Sequence, residues 1–319
     1  MGRATVGRAG ASDAIVVGGG TAGAVVAARL VEAGLRVVLI EAGPDYGSYD
    51  VGGWPAELVD ACALPDTHDW GYRGRGAAGQ QLAFERARVI GGCSTHNGCA
   101  QLPGWRGDYD AWAASGCPGW SSEELRPLFA RSIERLRVRH FSPDEIQPFQ
   151  RGFLEAAVAA GIPQTEDLGD LDGKIGCGSE PTNVVDGVRW NTAFAYLDPV
   201  RGRSGLTIVP DATVDRVLIA NGQASGVRAM VDGKPVSCAR TWSFSARAHT
   251  AHQRSCFAAG SVPPLICGSL ALRFRRTCRA SGRTYMITPL RSSSSPGLNG
   301  SARNSNCLPE RTGFPKSRP

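Results

Sequence analysis

The sequence predicts an α/β fold built on a Rossmann-like dinucleotide-binding unit. Three observations lead there. Residues 13–43, DAIVVGGGTAGAVVAARLVEAGLRVVLIEAG, run strand, glycine turn, helix, strand and acid in that order. A second glycine-rich stretch, GGCSTHNG at 91–98, is small and flexible at first and then polar. The composition, 42% hydrophobic with 41 glycines among 319 residues, suits a globular chain long enough for one large domain or two ordinary ones.

Ala14–Val17 reads as a short buried strand. Gly18, Gly20 and Gly23 form G-x-G-x-x-G: the first permits a tight turn, the second lets backbone approach a pyrophosphate, and the third lets helix and strand pack closely. A helical run from Thr21 to Ala33 follows, closed by Gly34. Its first turn, with Thr21 and Ala22, offers free N–H groups and the positive end of the helix dipole to phosphate. Val37–Ile40 is a second buried strand, and Glu41, 23 residues past Gly18, stands where an acid can accept a ribose hydroxyl. A glycine-rich surface turn is the competing reading, against which the ordered series of elements weighs. The motif alone does not separate FAD from NAD.

By itself GGCSTHNG also reads as a loop with a helix start, capped by Ser94 or Thr95. Asp108 and Asp110 read as surface residues around a buried Tyr109 or Trp112. Further on, PFQRGFLEAAVAAG is a helix with Phe149, Phe153, Leu154, Ala157 and Val158 at helical spacing. The acidic stretch EDLGDLDGKIGCGSEP fits no EF-hand spacing and reads as a solvated loop.

No run approaches the roughly 20 apolar residues of a membrane span, and the start, MGRATVGRAGASD, is too short and polar for a secretory signal. Val6 stands where a myristoylation motif needs Ser or Thr. A cytoplasmic protein, with no membrane partner, is expected. None of the ten cysteines is spaced C-x-x-C, so they read as reduced thiols. The net charge of +6 is unevenly held: residues 242–319 carry 12 Lys and Arg against one acid, Glu310, leaving residues 1–241 with 23 basic and 28 acidic groups. Those arginines neither alternate with stacking aromatics nor share a helix face, so no nucleic-acid partner is expected.

Residues 86–112, RARVIGGCSTHNGCAQLPGWRGDYDAW, carry R-x-x-x-G-G-[ST/C]-S-x-x-N followed by an aromatic–acid segment. With Asp69–Tyr72 (DWGY), residues 119–133, RWNTAFAYL at 189–197 and LTIVPDATVDRVLIANGQASGVRA at 206–229, the chain from Asp13 to about Thr241 resembles the glucose–methanol–choline (GMC) family of flavin oxidoreductases, choline-dehydrogenase or choline-oxidase-like. The resemblance implies FAD as cofactor and a fold of GMC type: a Rossmann-like FAD-binding domain with a partial α+β substrate domain. It implies a flexible start at 1–12, the FAD-binding domain at 13–139 and again at 195–241, and a substrate-domain segment at 140–194. Gly91, Gly92, Ser94 and Asn97 would wrap the isoalloxazine ring, where backbone N–H groups stabilise negative charge on reduced flavin. Val89, Gly98, Cys99 and Ala100 fall at further flavin contacts, and Val214 matches the residue whose backbone meets the adenine.

His96 matches the S-x-H-N histidine that choline-oxidase-like members bond covalently to the flavin; the alternative is a histidine that only hydrogen-bonds in its loop. The family's activity is hydride transfer from an alcohol CH–OH to flavin, assisted by a general-base histidine near the C-terminus. No residue here matches that base or its partner, so no catalytic residue is assigned. An alcohol is the substrate class implied for a full-length member, and an inactive form is expected of this chain. A non-catalytic FAD-binding remnant and an NAD-dependent dehydrogenase are the alternative functions.

Past Thr241 the family pattern stops, and the genetic code offers a reason. Read one base out of register, Thr277–Pro289 permits LPGVG-x-NLHDHP, a family motif otherwise missing, with its first Asp forced by Met286–Ile287. The same offset from Thr241 to Cys267 permits VVVLSAGAH-x-TPALLLRSGIGPAADL, again in family order. A frameshift at or just before Trp242 follows, making residues 242–319 an out-of-frame, largely disordered tail. The strand lost with it would leave an edge of the nucleotide-binding sheet unpaired.

Overall fold

The computed structural model describes residues 12–221, 223–239 and 243–245. Its centre is the expected unit. Strand β1 (Ala14–Val17) leads through the glycine turn to helix α1 (Thr21–Glu32) and back to β2 (Val37–Ile40), which pairs with β1 in parallel. Gly34 ends the turn after α1 at φ +85°, its N–H donating to the Val31 carbonyl at 2.9 Å.

Both strands are uninterrupted apolar runs because both faces of the sheet are covered. Ala14, Val16, Val37 and Leu39 face one core, where Ala24, Ala27, Ala28 and Val31 of α1 pack together with Phe194–Leu197. The alternate residues, Ile15, Val17, Val38 and Ile40, face a second core with Val209, Ala212, Val214, Val227 and Ala229. Small alanines on α1 bring the helix close to the sheet.

Between β2 and the second glycine segment lie a short helix α2 (Ala56–Val59) and a hairpin of β3 (Arg73–Arg75) and β4 (Gln81–Ala83). Helices α3 (Arg106–Ala114), α4 (Ser122–Arg135) and α5 (Pro148–Ala159) follow. Helix α4 starts on a capping box: Ser121 Oγ accepts from the Glu124 N–H, and the Glu124 carboxylate accepts from the Ser121 N–H at 3.1 Å. A small hairpin, β5 (Val184–Val185) and β6 (Val188–Arg189), leads to a buried π-helical turn at Ala193–Leu197. The chain then returns to the sheet: β7 (Leu206–Val209) pairs in parallel with β2. Strands β8 (Ala212–Ala220), β9 (Gln223–Val231) and β10 (Lys234–Ala239) form an antiparallel three-stranded layer over the second core.

Two expectations are corrected. The sheet has the order β11-β1-β2-β7, because Ser243–Ser245 forms β11 and pairs in parallel with Ile15–Val17. The edge of β1 is therefore covered, by residues the sequence had assigned to a disordered tail; ladder bonds use only backbone groups, and a three-residue strand asks little of its side chains. Trp112 is exposed and Tyr109 only half-buried; the two rings meet edge to face, with centroids 5.1 Å apart. Helix α5 forms where its periodicity predicts, but none of its residues is buried, and Phe149 is 83% exposed. Residues 1–11 and 246–319, with both out-of-register motifs beyond Ser245, lie outside the described residues.

Candidate functional site

The two glycine segments meet backbone to backbone. The Gly91 N–H donates to the Gly19 carbonyl at 2.7 Å. Gly92 stands at φ +56°, and a Cβ on it would come 2.6 Å from the Gly20 Cα. Gly91, at φ +84°, would drive a Cβ to 2.6 Å from Thr95 Cγ2. L-residues with a side chain rarely adopt such angles, so glycine is required at both positions by angle and by space.

Glu41 holds the turn from below. Its buried carboxylate accepts the Gly19 N–H at 2.7 Å and the Gly43 N–H at 2.8 Å, stapling the first glycine turn to the end of β2. Gly20 is the N-cap residue of α1 with no side-chain hydrogen bond to the first turn, so that turn's N–H groups face outward without a side-chain acceptor.

Beside this junction opens a cleft of about 290 Å³. Gly18, Gly20, Thr21, Ala22, Glu41, Gly92 and Val214 line it, all named by the sequence. Trp70, Tyr72, Arg86, Cys93 and Ala212 are also part of the wall. Asp69 sets the position of Trp70 and Tyr72: its carboxylate accepts the Gly71 and Arg86 N–H groups, both at 2.6 Å. DWGY is thus a turn that hangs two aromatic rings at the cleft. A glycine-floored cleft with uncapped helix N–H donors, an acid at the ribose position and aromatic walls fits the nucleotide and pyrophosphate of an extended dinucleotide.

The remaining predicted residues do not line the cleft. Gly23 is buried within α1, and Val89 is fully buried in the first core. Ser94 and Thr95 do not cap a helix. They lie in a 3-10 turn, Gly92–Thr95, and donate back to the Gly91 and Gly92 carbonyls, each at 2.7 Å. Ser94 also meets Thr192 Oγ1 at 2.9 Å, tying the turn to the RWNT segment. His96 Nε2 lies 3.2 Å from the Thr67 carbonyl. Asn97 and Gly98 are exposed. Cys99 is buried, its thiol pushed up by burial against the opposing pull of Arg189, which suits an unreactive thiol. Ala100 bridges to Thr182 in an antiparallel pair.

One organising residue was quoted in a motif but given no role. Arg189, fully buried, is in no ion pair among the described residues; its guanidinium donates to five carbonyls, of Asn97 at 2.9 Å, Leu58 at 2.9 Å, Glu57 and Thr95 at 3.2 Å, and Ala63. It thereby fixes Thr95–Asn97 against α2 and the loop after it. Nothing in the local sequence announces this, since its acceptors come from distant segments. Among the described residues no His, Cys, Asp and Glu cluster could hold a metal ion.

The GMC oxidoreductase N-terminal family model matches residues 12–264. The chain belongs to the GMC oxidoreductase family. The match continues past Thr241, where the quoted motifs end. The chain is 32% identical over 242 residues to oxygen-dependent choline dehydrogenase of Photobacterium profundum, covering 70% of this chain and 42% of that protein. It is 35% identical over 242 residues to the mitochondrial choline dehydrogenase of Homo sapiens, covering 69% and 40%. Among solved structures, pyridoxine 4-oxidase from Mesorbium loti superposes with a TM-score of 0.64 at 30% identity, covering 73% of this chain and 49% of that one. An FAD-dependent oxidoreductase from Chaetomium thermophilum, at 22% identity and TM-score 0.67, shares the fold. The chain thus spans about two fifths of the length of the curated relatives it matches. Among the described residues no helix is long and apolar enough to cross a membrane.

Proposed function

We propose that this GMC-family chain binds FAD and is the flavin-binding part of an oxidoreductase acting on the CH–OH group of an alcohol. The observation that supports this most is the interlock of Gly91 and Gly92 with the Gly18–Gly20 turn, which makes one cleft from two segments far apart in the chain. A dinucleotide site of the NAD type needs only the first of them. When bound, the flavin accepts the hydride equivalent removed from the alcohol carbon. The chain's own part is to seat the cofactor. The uncapped first turn of α1 donates to the pyrophosphate, Glu41 stands at the ribose, and Arg86 adds positive charge at the rim. The relatives' names support the substrate class, as choline and pyridoxine are both alcohols.

Reconstitution tests the reading. Purified chain mixed with FAD and then desalted should retain yellow cofactor and quench its fluorescence, while NAD should not compete. Colourless protein after desalting would refute it. His96, whose ring reaches the Thr67 carbonyl, is the candidate for a covalent tether. Acid precipitation should carry flavin into the pellet from the native chain and leave it in solution with His96→Ala; flavin wholly in the supernatant from both rules the tether out.

The lining of the cleft, which includes no histidine to act as base among the described residues, favours a second reading, a flavin binder without turnover. Reduction of the bound flavin by choline or another alcohol under anaerobic conditions separates the two.

A further inference from the structure

We propose a second ligand site, for a phosphate-bearing anion, in the cavity between the C-terminal ends of α1 and α4. The cavity holds about 440 Å³, within the range of small-ligand sites, and is lined by Arg29, Arg131, Glu134, Arg135, Arg137 and Trp190 among others. It shares no lining residue with the cleft at the glycine turns.

Charge is the first argument. Four arginines and one glutamate line this space. Glu32, behind it, pairs with both Arg29 at 2.7 Å and Arg135 at 2.9 Å, so one carboxylate serves two cations. Among the described residues Arg131 and Arg137 are in no ion pair. Counting Glu134 and Glu32 against the four arginines leaves an excess of two positive charges around one concavity. Basic residues at a helix C-terminus are ordinary, since they answer the dipole there. That accounts for arginines at the ends of α1 and α4, but not for four guanidinium groups around one cavity.

Geometry is the second argument. Arg137 lies just past α4 at φ +54°, where a glycine is the usual residue. Its guanidinium lies 3.8 Å from the Trp190 ring centroid. Arg135 is held by the Ala195 carbonyl at 2.7 Å and lies over Tyr196. Stacking on Trp190 removes rotamer freedom from Arg137 and leaves its fork of N–H donors oriented, while Arg135, its Nε and one terminal nitrogen held by Ala195 and Glu32, contributes charge. Preset guanidinium forks match phosphate oxygens two at a time, and the surplus of two charges suits a dianionic phosphate monoester or a diphosphate. The Trp190 and Phe194 walls offer apolar contact to the organic part of such a ligand.

Inorganic phosphate is the probe. It is titrated onto FAD-saturated chain at constant ionic strength held by chloride, and followed by tryptophan fluorescence and by melting temperature. The expected result is a saturable change in both. Arg131→Ala with Arg137→Ala should weaken phosphate by at least about tenfold, and Trp190→Phe should remove the fluorescence signal while keeping the thermal one. Glu134→Gln, which removes an opposing charge, should tighten binding, an outcome that loss of folding cannot mimic. The same titration on FAD-free chain should show the same loss in the double arginine variant. The proposal fails if no saturable change appears on the FAD-saturated chain, if the double arginine variant binds undiminished, or if phosphate binds only while FAD is absent, which would put the anion at the first turn of α1.

Discussion

Gly92 and Arg189 govern the site through opposite means, absence of a side chain and excess of one. An alanine at position 92 would hold its Cβ 2.6 Å from the Gly20 Cα at φ +56°, so one of the two glycine turns must move. Gly92→Ala is expected to weaken FAD by more than about tenfold while the fold persists, as read by flavin fluorescence titration. Gly52, also at positive φ (+71°), has open space around it; Gly52→Ala strains only its own turn and should leave FAD affinity intact. Arg189 carries a buried charge that, among the described residues, five carbonyls stabilise. Arg189→Met strands those acceptors, and a buried carbonyl left without a donor costs about 1–3 kcal/mol. Urea denaturation should show that loss, and Arg189→Lys should recover only part of it because an ammonium has three donors and no fork. The glycine was legible in the sequence because a backbone requirement writes itself into one residue type. The arginine's role was not, because its five acceptors are backbone carbonyls, which any residue supplies.

At the scale of elements, the parts that follow local rules were legible and the parts that depend on partners were not. Both strands of the first β–α–β unit, the helix between them and its Gly34 stop lie where the sequence puts them, since an apolar run bounded by glycines leaves few alternatives. The competing reading of Ser94 or Thr95 as a helix cap fails, because hydroxyls that cap a helix and hydroxyls that donate back within a 3-10 turn have the same local sequence. The entry to α5 shows what charge adds to such a turn. Glu145 accepts from both terminal nitrogens of Arg139 at 2.7 Å and from the Ser142 N–H at 2.8 Å. The Arg139 hydrogen bonds above all, then those of Ser142, hold the Glu145 carboxyl down to about 2, below its ordinary 4.5. The folded carboxyl binds its proton only at lower pH than the unfolded one, so this link stabilises fully above about pH 4.5 and is lost as pH falls toward 2. Carboxyl NMR should follow Glu145 through that low midpoint, and Glu145→Gln should flatten the acid side of the melting profile between the two values. The pair is solvent-exposed, so the change should be small and reduced by salt.

For the molecule as a whole, the distribution of apolar surface sets the behaviour in solution. Around the parallel sheet the burial is thorough, with Ile15, Val16, Leu39 and Leu197 all fully buried. Around α3 and α5 it is not: Phe149 is 83% exposed, Phe153 68% and Trp105 61%, and neither helix buries a single residue. The periodicity of α5 implied a partner for its apolar stripe, and the described chain supplies none. This asymmetry makes two properties separable. FAD binding is expected to depend on the sheet and its glycine turns, and self-association on the exposed α3 and α5 faces. The purified chain is expected to bind an apolar-surface dye and to associate in a concentration-dependent way, with no dependence on FAD. Phe149→Ser with Phe153→Ser should lower dye binding and the sedimentation-derived association constant while leaving FAD affinity within about twofold. If the double variant lost FAD and kept associating, the division would be wrong, and the exposed surface responsible would have to lie on the sheet side.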